Sequence, residues 1–251
     1  MNTFDQLILV LASLLANLFS AFSGGGAGLI QLPLLLFLGL PFSLALATHK
    51  VATVALGVGA SLKYGKRGNL EKQMVLIMVL SGVPGVMLGA YLIVHIPELV
   101  ARRALGGLML GLGLYSVFKP TFGQEYVAKN RDYRGLMIGA TGLFMVAILN
   151  GSLTSGTGLL VTLWLIRWFG MDYLTAVAHT LVLVGLLWNG TGAVTLGMIS
   201  EIYWLWLPAL LLGSVLGGYL GAHLAIEKGS AWIKRGFEVV TLLIGIKLLL
   251  G

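Results

Sequence analysis

The chain has 251 residues, of which 58% are hydrophobic and only 10% charged, with a mean hydropathy of +0.96 and a formal net charge of +7. A soluble domain carries about 25% charged residues, so this chain cannot clothe itself in polar groups, and soluble enzymes and nucleic-acid binders are excluded. With no cysteine, disulfide-knit domains, thiol chemistry and cysteine metal sites go too.

From Gln6 to His49 there is no Asp, Glu, Lys or Arg over 44 residues. One crossing needs roughly 20 apolar residues, so this run holds more than one segment. Met1 to Asp5 lacks the basic stretch of a signal peptide, and the first helix is expected to be retained. Charges, prolines and glycine clusters divide the first half into 4–22, a glycine break, 28–40, 42–62, 72–94 and 99–118. A polar linker over 119–134 follows. The second half reads as 135–150, a Gly/Ser/Thr break, 157–169, 173–196, 203–224 and 231–250. The segments 28–40 and 157–169 are too short to cross alone and read as half-helices of broken or re-entrant spans.

The halves repeat each other. Gly26 and Gly28 precede Gly156 and Gly158 by 130 residues, Ala47 precedes Ala178 by 131, and Ser81, Gly85, Gly89 and Arg103 precede Gly213, Gly217, Gly221 and Arg235 by 132. Loop charge predicts opposite insertion of the copies. The basic stretch with Lys63, Lys66, Arg67 and Lys72 is expected inside, as are the linker with Lys119, Lys129, Arg131 and Arg134 and the turn with Lys228, Lys234 and Arg235. The counterpart of the first of these, Met198 to Glu201, has no basic residue and is expected outside; Arg102 and Arg103 are the exception to the pattern. The expected fold is an all-α polytopic membrane protein of two inverted-topology repeats, each with three spans and a Gly-broken helical hairpin, about 8–10 segments in all. The repeats are placed at 1–118 and 135–251, joined by a cytoplasmic linker at 119–134.

Ser23-Gly-Gly-Gly-Ala-Gly-Leu-Ile-Gln-Leu-Pro33, Gly39-Leu-Pro41 and Ala45-Leu-Ala-Thr48 resemble the amino-terminal signature of the TauE/SafE family. Ser155-Gly-Thr-Gly158, Gly170-Met-Asp172 and Ala176-Val-Ala-His-Thr180 are similar to its second copy, with His179 and Thr180 where a small hydroxyl pair is expected. Members are sulfite exporters or permeases for sulfonates and related organosulfur anions. The resemblance implies an anion transporter of the bacterial cytoplasmic membrane.

The two glycine breaks are the leading candidate site. Unwound backbone at membrane depth survives only where protein or a water-filled cavity satisfies it. Helices that start there aim N–H groups and partial positive charge at the interior, and inverted repeats bring such breaks together at the midplane. The alternative is that the glycines merely allow tight helix packing. The candidate anion-binding residues of the breaks are Gly24, Gly25, Gly26 and Gly28, and Thr154, Ser155, Gly156, Thr157 and Gly158; Gln31, Thr48, Asn150 and Thr180 add neutral donors. Lys50, about 12 Å into its helix by helical rise, is an intramembrane cation whose natural partner is an anion; snorkelling to an interface is the competing reading. His49 and His179 hold nearly equivalent places and could donate to an oxyanion, carry a coupling proton, or simply bond helix to helix.

The expected function is therefore a secondary transporter moving a small anion by alternating access. A passive anion channel and a non-transporting scaffold subunit are the alternatives, and no enzyme activity is expected, because no nucleophile–base pair has a plausible spacing. The expected partners are the small anion and the lipid bilayer, with proton coupling through histidine as an option and no nucleic acid. No cofactor or metal is expected, and oligomeric state is left open.

Overall fold

A computed structural model describes residues 3–64, 70–118, 126–228 and 242–250, and every described element is helical. In chain order these are α1 (Thr3–Ser23), α2 (Ala27–Phe37), α3 (Phe42–Tyr64), α4 (Lys72–Ile93), α5 (Glu98–Phe118), α6 (Tyr133–Ser152), α7 (Thr157–Phe169) and α8 (Tyr173–His179). A π-helical stretch (Thr180–Trp188) carries α8 into α9 (Asn189–Ile199), and a single 3-10 turn (Trp204–Trp206) leads into α10 (Leu207–Lys228). Residues 242–250 form a further helix. The expected basic residues Lys66, Arg67, Lys119, Lys234 and Arg235, and much of the 231–250 segment, lie outside the described residues.

Among the described residues six helices are long and apolar enough to cross a bilayer: Gln6–Ser23, Phe42–Tyr64, Lys72–Ile93, Tyr133–Ser152, Leu174–Ile199 and Trp204–Glu227. The short apolar helices are α2 and α7, as their sequences imply. The expected span at 99–118 is helical but is not one of the six. Its first two turns carry Glu98, Arg102 and Arg103, and Arg102 donates to Glu98 there at 2.7 Å. The outer surface is apolar: Leu7, Leu11 and Leu15 on α1, Leu76, Leu80 and Met87 on α4, and Met137, Ile138 and Met145 on α6 are all exposed. Such a face is costly in water and at home in hydrocarbon.

Small residues set the helix pairs, as expected of apolar spans, where close backbone approach replaces hydrophobic drive. On α10, Gly213 lies against Val10 and Leu14, Gly217 against Leu14 and Leu18, and Gly221 against Leu18 and Ala21. The numbers rise together, so α1 and α10 run parallel. Gly85 and Gly89 likewise meet Phe144 and Ile148, and Gly151 meets Val86 and Ala90, which makes α4 and α6 parallel. In contrast, α3 passes the π-helical stretch antiparallel, with Gly57 on Gly185 and Lys50 beside Asn189. The tryptophans of α7 are anchors: Trp164 and Trp168 donate to Gly139 O (3.1 Å) and Gly135 O (2.9 Å), locking α7 onto α6.

Candidate functional site

Helix α1 ends at Ser23, and the chain turns through Gly24, Gly25 and Gly26 with φ of 84°, 127° and 125°. Only glycine visits that region without strain. The second break turns through Thr154 and Gly156, at φ 57° and 71°. Each break then starts a short helix whose N-cap is a glycine, Gly26 for α2 and Gly156 for α7, with no side-chain cap. The first-turn N–H groups of both helices therefore lack the usual side-chain oxygen.

The breaks meet. A Cβ on Gly25 would fall 2.6 Å from the Gly158 carbonyl carbon, and one on Gly28 would fall 3.0 Å from Ser155 Cα. Ser155 Oγ donates to Gly28 O, and Thr162 Oγ1 donates to Gly24 O at 2.8 Å. These contacts seal the two tips against each other. Beside them opens a cavity with an empty volume of about 360 Å³, its mouth included.

Of the expected site residues, Gly25, Gly26, Gly28, His49, Asn150, Thr154, Thr157, Gly158 and Thr180 line this cavity. Ser20, Thr53 and Asn189 complete its polar wall, and Leu56, Leu181 and Val184 its apolar one. No Asp or Glu is among the lining residues. Lys50 stands directly behind the wall. It is fully buried, and Nζ donates to Asn150 Oδ1 at 2.7 Å and to Asn189 Oδ1 at 3.0 Å. It does not snorkel. Asn150 is oriented in turn, since Nδ2 donates to Thr157 Oγ1 (2.8 Å), which donates on to Thr154 O (2.6 Å).

His49 is held by a buried chain: Nδ1 donates to Gln31 Oε1 (2.7 Å), Gln31 Nε2 donates to Ser13 Oγ (2.8 Å), and Ser13 Oγ donates to Leu210 O (2.7 Å). Asn17 adds Nδ2 to Ser214 Oγ at 2.9 Å. Gln31 thus lies outside the lining and acts through His49. Thr162 makes the corresponding bond to Thr180 in the second half, at 2.9 Å.

Four expected residues are placed elsewhere. Thr48 accepts from Tyr203 N (2.9 Å) and so ties α3 to the loop before α10. Gly24 and Gly156 shape the turns without lining the cavity. His179 faces the far end of the bundle, where Nε2 accepts from Glu71 N (2.9 Å) and Nδ1 donates to Thr175 O (2.8 Å). That end carries a cluster of its own. Glu71 pairs with Arg131 at 3.2 Å and accepts from the Tyr126 hydroxyl. Partial burial first, and then this hydrogen bond, push the Tyr126 phenol above its ordinary value of 10.0.

Asn189, Ser20, Thr53 and Thr162 are not among the residues expected from the sequence. Thr53 sits one helical turn from the named candidate His49, and Ser20 one turn before the start of the first break at Ser23, and that spacing is the available signal. The π-helical stretch that aims Asn189 has no sequence signature. Among the described residues no group of three His, Cys, Asp or Glu could hold a metal ion.

The fold and its apolar surface define a multi-pass helical membrane protein built round a buried polar cavity. Residues 9–248 match the family model described as "Sulfite exporter TauE/SafE", and the chain belongs to that family of membrane transporters. It is similar to "Probable membrane transporter protein ORF9" of Sinorhizobium sp, 29% identical over 243 residues that cover 96% of this chain and 91% of the relative. A "Probable membrane transporter protein" of Haemophilus influenzae is 27% identical, covering 96% and 93%. "Probable membrane transporter protein YfcA" of Escherichia coli is 25% identical, covering 99% and 94%. No solved structure matches.

Proposed function

We propose that this protein is a secondary transporter that carries a small anion of the sulfite or sulfonate class across the bacterial cytoplasmic membrane by alternating access. One observation carries the reading. Two helix starts without side-chain caps meet at a buried cavity that has a lysine behind its wall and no carboxylate among its lining residues. Helix N-termini and a buried cation both favour negative charge, and they do so strongly where water is scarce. The family description supplies the class of anion.

Alternating access is supported by an inverted repeat, which we infer from the helix directions. Parallel pairing joins α1 to α10 and α4 to α6, and α3 opposes the π-helical stretch and α9. The short loop over 200–206 turns α10 back along α9. Taken together, α1, α3 and α10 run one way and α4, α6 and α9 the other. Each of these three spans of the 1–118 half then opposes its counterpart in the 135–251 half: α1 against α6, α3 against α9, and α4 against α10. The tip contacts are reciprocal as well, since Gly25 on Gly158 and Gly28 on Ser155 exchange under the 130-residue offset. Two such hairpins rocking about one fixed site is the usual form of alternating access in inverted repeats.

Labelled sulfite and methanesulfonate fluxes into vesicles holding the purified protein test the proposal. Saturable uptake that accumulates against a gradient is expected, which a passive channel cannot produce. Lys50→Ala and Gly26→Val are each expected to abolish it. If both variants transport like the parent, the site assignment is wrong.

A further inference from the structure

The hydrogen bonds of Lys50 specify more than an anion partner. Its stem runs past Gly192, where a Cβ would fall 3.1 Å from Cδ and Cε, so the glycine leaves room for the lysine. Nζ then reaches the junction of α3, α6 and α9 and finds two acceptors, the amide oxygens of Asn150 and Asn189. The Asn150 oxygen is fixed toward it because the amide nitrogen is committed to Thr157. A neutral amine has two N–H donors and one lone pair; an ammonium has three N–H donors. Two acceptors satisfy the amine. Among the described residues, the third N–H of an ammonium has no acceptor and its charge has no carboxylate partner.

We propose that Lys50 takes up one proton each time an anion enters the cavity, so that anion and proton cross the membrane together. This rests on the transport reading above. The proton adds to the amine lone pair, no covalent bond breaks, and the new N–H donates to an oxygen of the arriving anion. The loaded site is then neutral overall, the form that costs least at bilayer depth. On the far side the anion leaves and the proton follows it. The titratable group beside Lys50 on α3 is His49, whose Nδ1 is occupied by Gln31. Around its stem and Nζ stand Gly192, Asn150 and Asn189, with Val86 beside Gly192, and none of these is titratable.

The test uses the full chain in vesicles loaded with a pH-sensitive dye, with membrane potential clamped by potassium and valinomycin. The probe is methanesulfonate, which stays an anion across the working pH range and so carries no proton of its own. An inward methanesulfonate gradient is expected to acidify the lumen with one proton per anion, and uptake is expected to be indifferent to the clamped potential. Lys50→Arg, whose guanidinium cannot give up its proton, is expected to lose the acidification. Asn150→Asp, nearly the same shape, supplies a resident counter-charge and is expected to lose it too. Methanesulfonate uptake by the parent that follows the potential without acidification overturns the coupling and leaves the transport reading standing. Acidification by Lys50→Arg equal to the parent's also overturns it. No methanesulfonate flux at all overturns the sulfonate-transport reading and the coupling with it.

Discussion

The two breaks share a backbone and differ in chemistry. Both turn through positive φ, both start a short helix from a glycine cap, and each is wedged against the other by a glycine or serine. Behind the first stands the pair Gln31–His49, 18 residues apart, and behind the second the pair Thr162–Thr180, also 18 apart. Lys50 follows His49, whereas Leu181 follows Thr180. The two breaks thus share the frame that exposes helix N-termini, while a lysine and an imidazole stand behind the first and a leucine and a threonine take their places behind the second. The frame needs glycine on both sides. The charge is needed once.

The largest effect should come from breaking the frame. Gly25→Val meets both a left-handed φ and backbone at 2.6 Å, so it is expected to leave no folded protein after detergent extraction. The combined cost is over about 3 kcal/mol. Gly39→Ala is the control, since it shares the positive φ, at +95°, but has nothing within 4 Å. It should lose only about 1 kcal/mol, read as a small drop in thermal midpoint.

Next comes the charge asymmetry. Leu181 is 2% exposed within an apolar cluster, so Leu181→Lys is expected to cost about 3 kcal/mol, the scale of an unsupported cation at bilayer depth. A swap that moves the lysine from 50 to 181 should restore neither stability nor uptake, because position 181 lies in an apolar cluster, away from the space that Gly192 leaves for the lysine stem. A swap variant that transports would show that the halves are chemically interchangeable.

The two polar pairs should differ in the same sense. Gln31→Leu strips the acceptor from His49 and a donor from Ser13, leaving buried groups unsatisfied at about 1–3 kcal/mol. Thr162→Val removes bonds to Gly24 O and Thr180 but strands no imidazole, and should cost about 1 kcal/mol. Chemical denaturation of the two variants side by side measures the difference.

The smallest effect belongs to the Glu71–Arg131–Tyr126 cluster, which is partly exposed and worth under about 1 kcal/mol. Its pH dependence has a definite sign. The Tyr126 phenol is raised in the folded protein. Its stabilisation is therefore present below the ordinary phenol value of 10.0 and lost as pH climbs through the raised one. Ultraviolet titration of the parent against Tyr126→Phe should show one phenol ionising late.

Much of this was legible in the sequence, for physical reasons that can be named. The segment 157–169 coincides with α7 because Gly156 and Gly170 bracket it, and glycine at both ends is a strong stop. The segment 28–40 ran past α2, which ends at Phe37, since nothing polar marks that end within Leu34 to Leu40. The breaks and Lys50 stood out because glycine clusters and a lone cation are rare inside apolar runs. His179 was drawn to the site by its nearness to the counterpart of His49, but the 131-residue offset that relates Ala47 to Ala178 pairs His49 with Thr180. One residue along a helix is a turn of about 100°, enough to face a different neighbour. The buried chain through Ser13, Asn17 and Ser214 joins residues 197 or more positions apart, and no local pattern announces it.

The central claim, that the joined breaks and Lys50 bind an anion, is tested most directly by the thermal midpoint of the detergent-purified protein in rising methanesulfonate. The parent should show a saturable rise, as binding to the native state alone requires, and Lys50→Met should show none at any concentration. A rise of equal size in both, or in neither, would contradict the account.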